Sequence, residues 1–186
     1  MGCVPNGTHP ISLLRGEGAY ILQGSLRMFN QQPFKMKRLS LYLLPIILCF
    51  ITGWLSSIMQ SDALVEWYPQ LDKPSITPPN AVFPIAWGII YICMGLSLGR
   101  LLDIGERRFI GLWFLILALA FLWTPIFFLM QSPISGFAII LILDIATFSY
   151  IVFSWIASRF ASIIMIPLLL WLLFATYLNF YIWLFN

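Results

Sequence analysis

The sequence predicts an all-α fold: an integral membrane bundle of five transmembrane helices, with a proline-rich capping loop between helices 1 and 2. Three observations carry this. Of 186 residues, 61% are apolar and only 9% are charged, with a mean hydropathy of +0.92; a soluble domain carries about 25% charged residues. Charge is absent from 39–61, 74–99, 109–143 and 160–186, and crossing the hydrocarbon takes about 20 apolar residues. These runs are apolar on every side, as spanning helices are, whereas a membrane barrel would alternate apolar and polar residues. A water-soluble enzyme and a disordered chain are thereby excluded. The net charge of +3 is spread along the chain rather than gathered in a patch, so no nucleic-acid partner is expected.

Each element follows from these gaps. Helix 1 is expected at 40–60 and helix 2 at 81–102. The third gap runs on past Asp144, its one charge, to Ser158, which is too long for one helix. Gln131-Ser132-Pro133 divides it, because proline suits the first turn of a helix and not its middle. Helices 3, 4 and 5 are therefore expected at 108–130, 133–157 and 161–184. The connections 103–107, 131–132 and 158–160 are short. The connection 61–80 is long and reads SDALVEWYPQLDKPSITPPN. A flexible linker would be rich in Gly and Ser. Here prolines, Pro74, Pro78 and Pro79 among them, restrict the backbone, and Trp67 and Tyr68 are suited to the membrane interface. An ordered cap over one end of the bundle is expected.

Basic residues give an orientation. Arg15, Arg27, Lys35, Lys37 and Arg38 precede helix 1; Arg100, Arg107 and Arg108 flank the connection between helices 2 and 3; Arg159 follows helix 4. With five helices all of these share one side. Lys73 alone lies opposite, beside Asp62, Glu66 and Asp72. The positive-inside rule puts the N-terminus in the cytoplasm, and the 61–80 loop and the C-terminus on the other side. Residues 1–35 have no strong period and are expected to be an extension, poorly ordered or non-native, ahead of a transmembrane domain at 36–186. They do not read as a signal peptide. Gly2 and Cys3 resemble an acylation signal only faintly, since Gly7 stands where Ser or Thr belongs.

Chemistry-bearing residues are few. Cys3, Cys49 and Cys93 are widely spaced, and His9 is the single histidine, so no metal site of ordinary spacing is expected and the thiols read as buried spectators. No nucleophile, paired-carboxylate or phosphate-loop motif occurs. Asp144 is the one ionisable residue deep in a span. It reads either as a functional carboxyl or as a packing residue hydrogen-bonded near Thr147 or Ser149. The aromatics carry more. Trp87 and Tyr91 share a face of helix 2, Trp123 and Phe127 a face of helix 3, and Trp171, Ala175 and Asn179 a face of helix 5. Large rings beside small residues suit a flat apolar ligand that stacks on indoles; ordinary aromatic packing is the competing reading. Gly95 and Gly99 in helix 2, and Gly53 with Ser57 in helix 1, have the spacing that permits close helix approach, within one chain or between two.

Three blocks resemble one family. Residues 67–95, WYPQLDKPSITPPNAVFPIAWGIIYICMG, resemble the pattern WYxxLxKPSWxPPxxxFxxVWxxLYxxMG of the TspO/MBR family (translocator protein / tryptophan-rich sensory protein). Leu122-Trp123-Thr-Pro-Ile-Phe-Phe128 is similar to its helix 3 signature, and PLLLWLLFATYLNFYIW at 167–183 to its helix 5 signature. The resemblance implies a five-helix membrane receptor or sensor that binds porphyrins (protoporphyrin IX, haem) and other flat hydrophobic ligands in a pocket beneath the loop. Trp87 and Trp171 would line that pocket, with Tyr91, Trp123, Phe127, Phe174, Ala175 and Asn179. No cofactor is required on this reading; porphyrin or haem is the ligand, the bilayer is the surroundings, and a homodimer is expected. Light-dependent porphyrin degradation through Trp87 and Trp171 is an alternative. Transport of tetrapyrrole or sterol is another, weakened by the lack of inverted repeats, broken helices and paired charges. The sequence departs from the family at Ile76, where its pattern has Trp, and at Ala120, where it has Asn; the family's acidic residue early in helix 4 aligns near Ile139. An altered polar lining is expected. No Lys or Arg follows the tyrosines of helix 5, so that element is not expected to bind sterol.

Overall fold

A computed structural model describes residues 1–2 and 11–186, with side chains at 1–2 and 38–186. The expectations for Cys3, His9, Arg15, Arg27, Lys35 and Lys37, and most of the reading of 1–35, lie outside these described side chains. The chain forms two units, Met1–Leu39 and Ser40–Asn186. In the first, helical backbone begins at Ile11. The second holds the bundle.

The elements are α1 (Ile11–Glu66), a short 3-10 turn (Tyr68–Gln70), α2 (Val82–Asp103), α3 (Ile110–Thr124) continued by a π turn (Pro125–Leu129), α4 (Pro133–Ser154), α5 (Arg159–Ile163) and α6 (Ile166–Phe185). Five segments are long and apolar enough to cross a membrane: Arg38–Glu66, Val82–Asp103, Ile110–Leu129, Pro133–Ser154 and Arg159–Phe185. The all-α five-span architecture is therefore the one the charge gaps predict. The boundaries differ in two informative places. The first helix does not stop at 60 but runs to Glu66, because Ser61-Asp62-Ala63-Leu64-Val65 contains no breaker; the loop proper starts at Trp67. The fifth span is not one helix but α5 and α6, interrupted at Ile164–Met165, where Pro167 enters the first turn of α6. Broken helices are thus not absent, although this break lies near one end of the span.

Local chemistry explains the other ends. Gly105 takes a positive φ of 74° in the turn after α2, and Gln131 takes 48° just before Pro133 starts α4. The Ser158 hydroxyl accepts the Ala161 N–H at 3.3 Å, capping α5. At the α2–α3 turn the Arg108 guanidinium grips Glu106 at 2.7 Å and holds that carboxyl down at about 2.

Helix α4 is the hub, packing on α3, α5 and α6, while α2 packs on α5 and α6. The core combines Met94, Leu98 and Leu101 with Trp113, Ile116, Leu143, Tyr150, Leu168 and Leu172, all buried. Several polar groups inside it are matched. Trp113 Nε1 donates to the Met94 carbonyl at 3.0 Å. Ser97 Oγ donates to the Ala161 carbonyl at 2.7 Å and meets the Tyr150 hydroxyl at 2.7 Å. Lipid offers no hydrophobic drive between helices, so such bonds and close packing must hold the bundle.

The glycines show how α1 joins it. A Cβ at Gly95 would lie 2.3 Å from the Ile46 side chain and 2.6 Å from its backbone nitrogen, and one at Gly99 would lie 2.5 Å from the Tyr42 ring. The small-residue pair of helix 2 is therefore used within the chain, against α1. Nearby, the Tyr42 hydroxyl donates to Asp103 at 3.2 Å. Gly53 serves differently, since a Cβ there would meet the Tyr91 ring at 2.2 Å. Cys49 is buried as expected, whereas Cys93 is only half-buried; neither forms a disulfide.

Candidate ligand-binding cavity

A cavity of about 660 Å³ lies between α1, α2, α3, α4 and α6. Trp87 and Tyr91 face it from α2, with ring centroids 5.4 Å apart. Trp123 and Phe127 face it from α3 and its π turn, stacked at 5.2 Å with only 16° between their planes. Trp171, Ala175 and Asn179 face it from α6, and Phe83 sets its ring edge on Trp171 at 5.7 Å. Seven of the eight ligand residues expected from sequence thus converge on one space. The exception is Phe174. It touches Trp171 at 5.9 Å but turns away from the cavity.

The wall is closed on one side and open on the other. Thr124, Phe127, Phe128, Ile140, Leu143, Leu172 and Asn179 are buried, whereas Trp54, Ser57, Ser61, Asn80 and Pro84 are exposed, Trp54 at 63%. The cavity therefore opens along the edge formed by α1 and the start of α2. Asn179 anchors the closed side: its Oδ1 accepts Trp123 Nε1 at 3.3 Å and its Nδ2 donates to the Ala175 carbonyl at 2.8 Å. Gly136 permits this, since a Cβ there would lie 2.7 Å from Phe127 and 3.3 Å from Asn179 Oδ1. Sequence reasoning passed over Gly136, an isolated glycine one turn into a helix.

The loop forms a lid bound at several points. Tyr68 lines the cavity and is buried against Phe128 at 5.8 Å, which pushes its phenol above the usual range; Trp67 sets its edge on Phe127 at 5.5 Å. These rings are thus anchors onto α3 rather than interface residues alone. Pro74 is buried, and its carbonyl accepts the Thr77 hydroxyl at 2.7 Å. Pro79 accepts the Val82 N–H at 2.9 Å, while Pro78 is half-buried. Two further ties were not legible beforehand. The Lys73 ammonium donates to the carbonyls of Tyr68 at 2.6 Å and Leu71 at 2.8 Å, and lies 4.8 Å over the Tyr68 ring. Asn186 brackets Asp72, accepting its N–H at 2.9 Å and donating to its carbonyl at 3.1 Å.

Asp144 lies outside the cavity wall, 8% exposed, and its partner is neither Thr147 nor Ser149. Thr176 of α6 donates to Oδ2 at 2.6 Å, so the carboxyl bridges α4 and α6 behind Leu143 and Ala175. Asp144 Oδ1 and Thr147 Oγ1 have no partner. Among the described residues, no three His, Cys, Asp or Glu side chains gather where they could hold a metal.

Five apolar spans around an aromatic cavity, closed at one end by a tethered loop, define a multi-pass integral membrane protein with an internal cavity. Residues 45–184 match the model of the TspO/MBR family, and the chain belongs to that family. It is 36% identical over 144 residues to the tryptophan-rich protein TspO of Archaeoglobus fulgidus, covering 76% of this chain and 94% of the relative. Protein CrtK of Rhodobacter capsulatus is 32% identical over 153 residues, 80% of this chain and 94% of CrtK. The translocator protein of Homo sapiens is 32% identical over 147 residues, 76% of this chain and 85% of its own length.

Proposed function

We propose that the protein is a membrane receptor or sensor for a flat, largely apolar ligand of the tetrapyrrole class, held in the aromatic cavity. The observation that carries this reading is the convergence of four indoles, Trp54 at the open edge with Trp87, Trp123 and Trp171 further in, on one space of about 660 Å³. Ligand pockets run from about 300 to 1,000 Å³, and flat π-systems gain from offset or edge contacts with such rings. The open edge between α1 and α2 lets a membrane-dissolved ligand enter sideways, and the lid of Tyr68 and Trp67 closes the space from the aqueous side. The positive-inside rule assigns the lid and Asn186 to the non-cytoplasmic face.

A binding panel in detergent tests the reading. Protoporphyrin IX and haem should quench tryptophan fluorescence saturably, while a sterol of similar hydrophobicity should compete poorly because it is puckered and cannot stack. A sterol that saturates the protein while neither porphyrin does would contradict it.

A further inference from the structure

We infer that Asp144 and Thr147 hold one buried water molecule between α4 and α6, behind the cavity wall. The inference is independent of which ligand the cavity takes. Leu143 and Ala175 line the cavity, whereas their neighbours Asp144 and Thr176, and Thr147, do not. Residues 144 and 147 are three apart on one helix, so their side chains stand on the same face with Cβ atoms about 5–6 Å apart. Both are more than nine-tenths buried.

Hydrogen-bond accounting singles out this spot. Among the described residues, two buried side-chain polar atoms lack a partner, Asp144 Oδ1 and Thr147 Oγ1, and both belong to this one turn of α4. The buried face of the helix continues through Tyr150 and Ser154, and there both hydroxyls are matched: Tyr150 with Ser97 at 2.7 Å and Ser154 with Ser162 at 2.7 Å. From α6, Thr176 occupies Oδ2 at 2.6 Å, which leaves Oδ1 to a donor from elsewhere. A carboxyl oxygen and a hydroxyl without partners are costly in the bilayer core, where lipid offers no hydrogen bonds. The two do not bond each other, but one water serves both. It donates a hydrogen to Asp144 Oδ1 and accepts the Thr147 hydroxyl hydrogen. With bonds of about 2.8 Å it spans oxygens up to about 5.6 Å apart. Two such partners reach the lower end of the range, about two to four, that holds a buried water. A metal cation suits the spot less, because its shell takes about six oxygens and only one carboxyl and two hydroxyls gather here. The bonds then run from Thr176 through Asp144 and the water to Thr147, and tie α6 to α4 directly behind residues that face the cavity.

A structure of the full chain from crystals grown in lipid, at a resolution that shows ordered solvent, tests this. Density for one water within about 3.2 Å of both Asp144 Oδ1 and Thr147 Oγ1 is expected. Thr147→Ser keeps the hydroxyl and should keep the density; Thr147→Val, of nearly the same shape, should lose it. Thermal unfolding in detergent gives a second reading that needs no crystal. If water bridges the pair, Thr147→Val strands Asp144 Oδ1 and lowers the melting temperature. If the site is dry, the same change only removes an unsatisfied hydroxyl, and the melting temperature rises. A higher melting temperature in Thr147→Val, bare space between the two side chains in the crystal, or a closely coordinated metal peak in place of the water overturns the inference. None of these outcomes touches the tetrapyrrole reading, which stands or falls on the quenching experiment.

Discussion

Spacing at single positions decided which side chains reach the cavity. From Trp171, a step of four residues turns the helix about 40° past a full circle and keeps Ala175 on the same face; a step of three falls about 60° short, enough to turn Phe174 away. The i,i+4 pairs were therefore legible in the sequence and Phe174 was not, because its assignment came from a motif rather than from a face. Asp144 was legible as an anomaly but its partner was not. Thr176 is 32 residues away on another helix, and no local pattern pairs them. Asp144→Asn keeps an acceptor for Thr176 and should leave thermal stability in detergent almost unchanged. Asp144→Ala removes it and should cost about 1 kcal/mol, the scale of an interhelical hydrogen bond in a membrane. Equal losses in the two variants would show that the bond does not set the α4–α6 contact.

At the scale of elements, the helices could be read from charge gaps because lipid demands uninterrupted apolar length, but their junctions could not. The extension of α1 to Glu66 follows from the absence of a breaker in 61–65 and the break between α5 and α6 from Pro167, and neither signal shows as a gap in charge. The close approach of α1 to α2 was foreshadowed by the Gly95 and Gly99 spacing, while the choice between a contact within the chain and one between chains needed the neighbours. Gly95→Val drives a side chain into Ile46 and its backbone, and should destabilise the bundle by about 1–3 kcal/mol in thermal unfolding. Gly111 has open space around its Cβ position, so Gly111→Ala should move stability by less than about 0.5 kcal/mol. For the lid, Lys73→Met removes the donor to the Tyr68 and Leu71 carbonyls. Faster proteolytic cleavage within 67–81 is expected, with the helices staying resistant; unchanged cleavage would mean that the prolines and Asn186 hold the loop unaided.

For the whole molecule, the scarcity of charge carries two messages. It places the chain in lipid, and the few charges that remain define two chemically distinct ends, with Arg100 in the last turn of α2, Arg107 and Arg108 in the turn before α3 and Arg159 at the start of α5, opposite Asp62, Glu66 and Asp72. In a cysteine-free background, Ser75→Cys should react with an impermeant maleimide from outside intact cells, and Glu106→Cys only after permeabilisation; the reverse pattern would invert the orientation. The central claim concerns the space between those ends, and tryptophan-fluorescence titration with protoporphyrin IX tests it most directly. The unaltered chain should show saturable quenching. Trp87→Ala and Trp171→Ala should each weaken it by roughly tenfold, and the double variant should abolish saturation. Undiminished, saturable quenching in the double variant would contradict the aromatic cavity as the binding site.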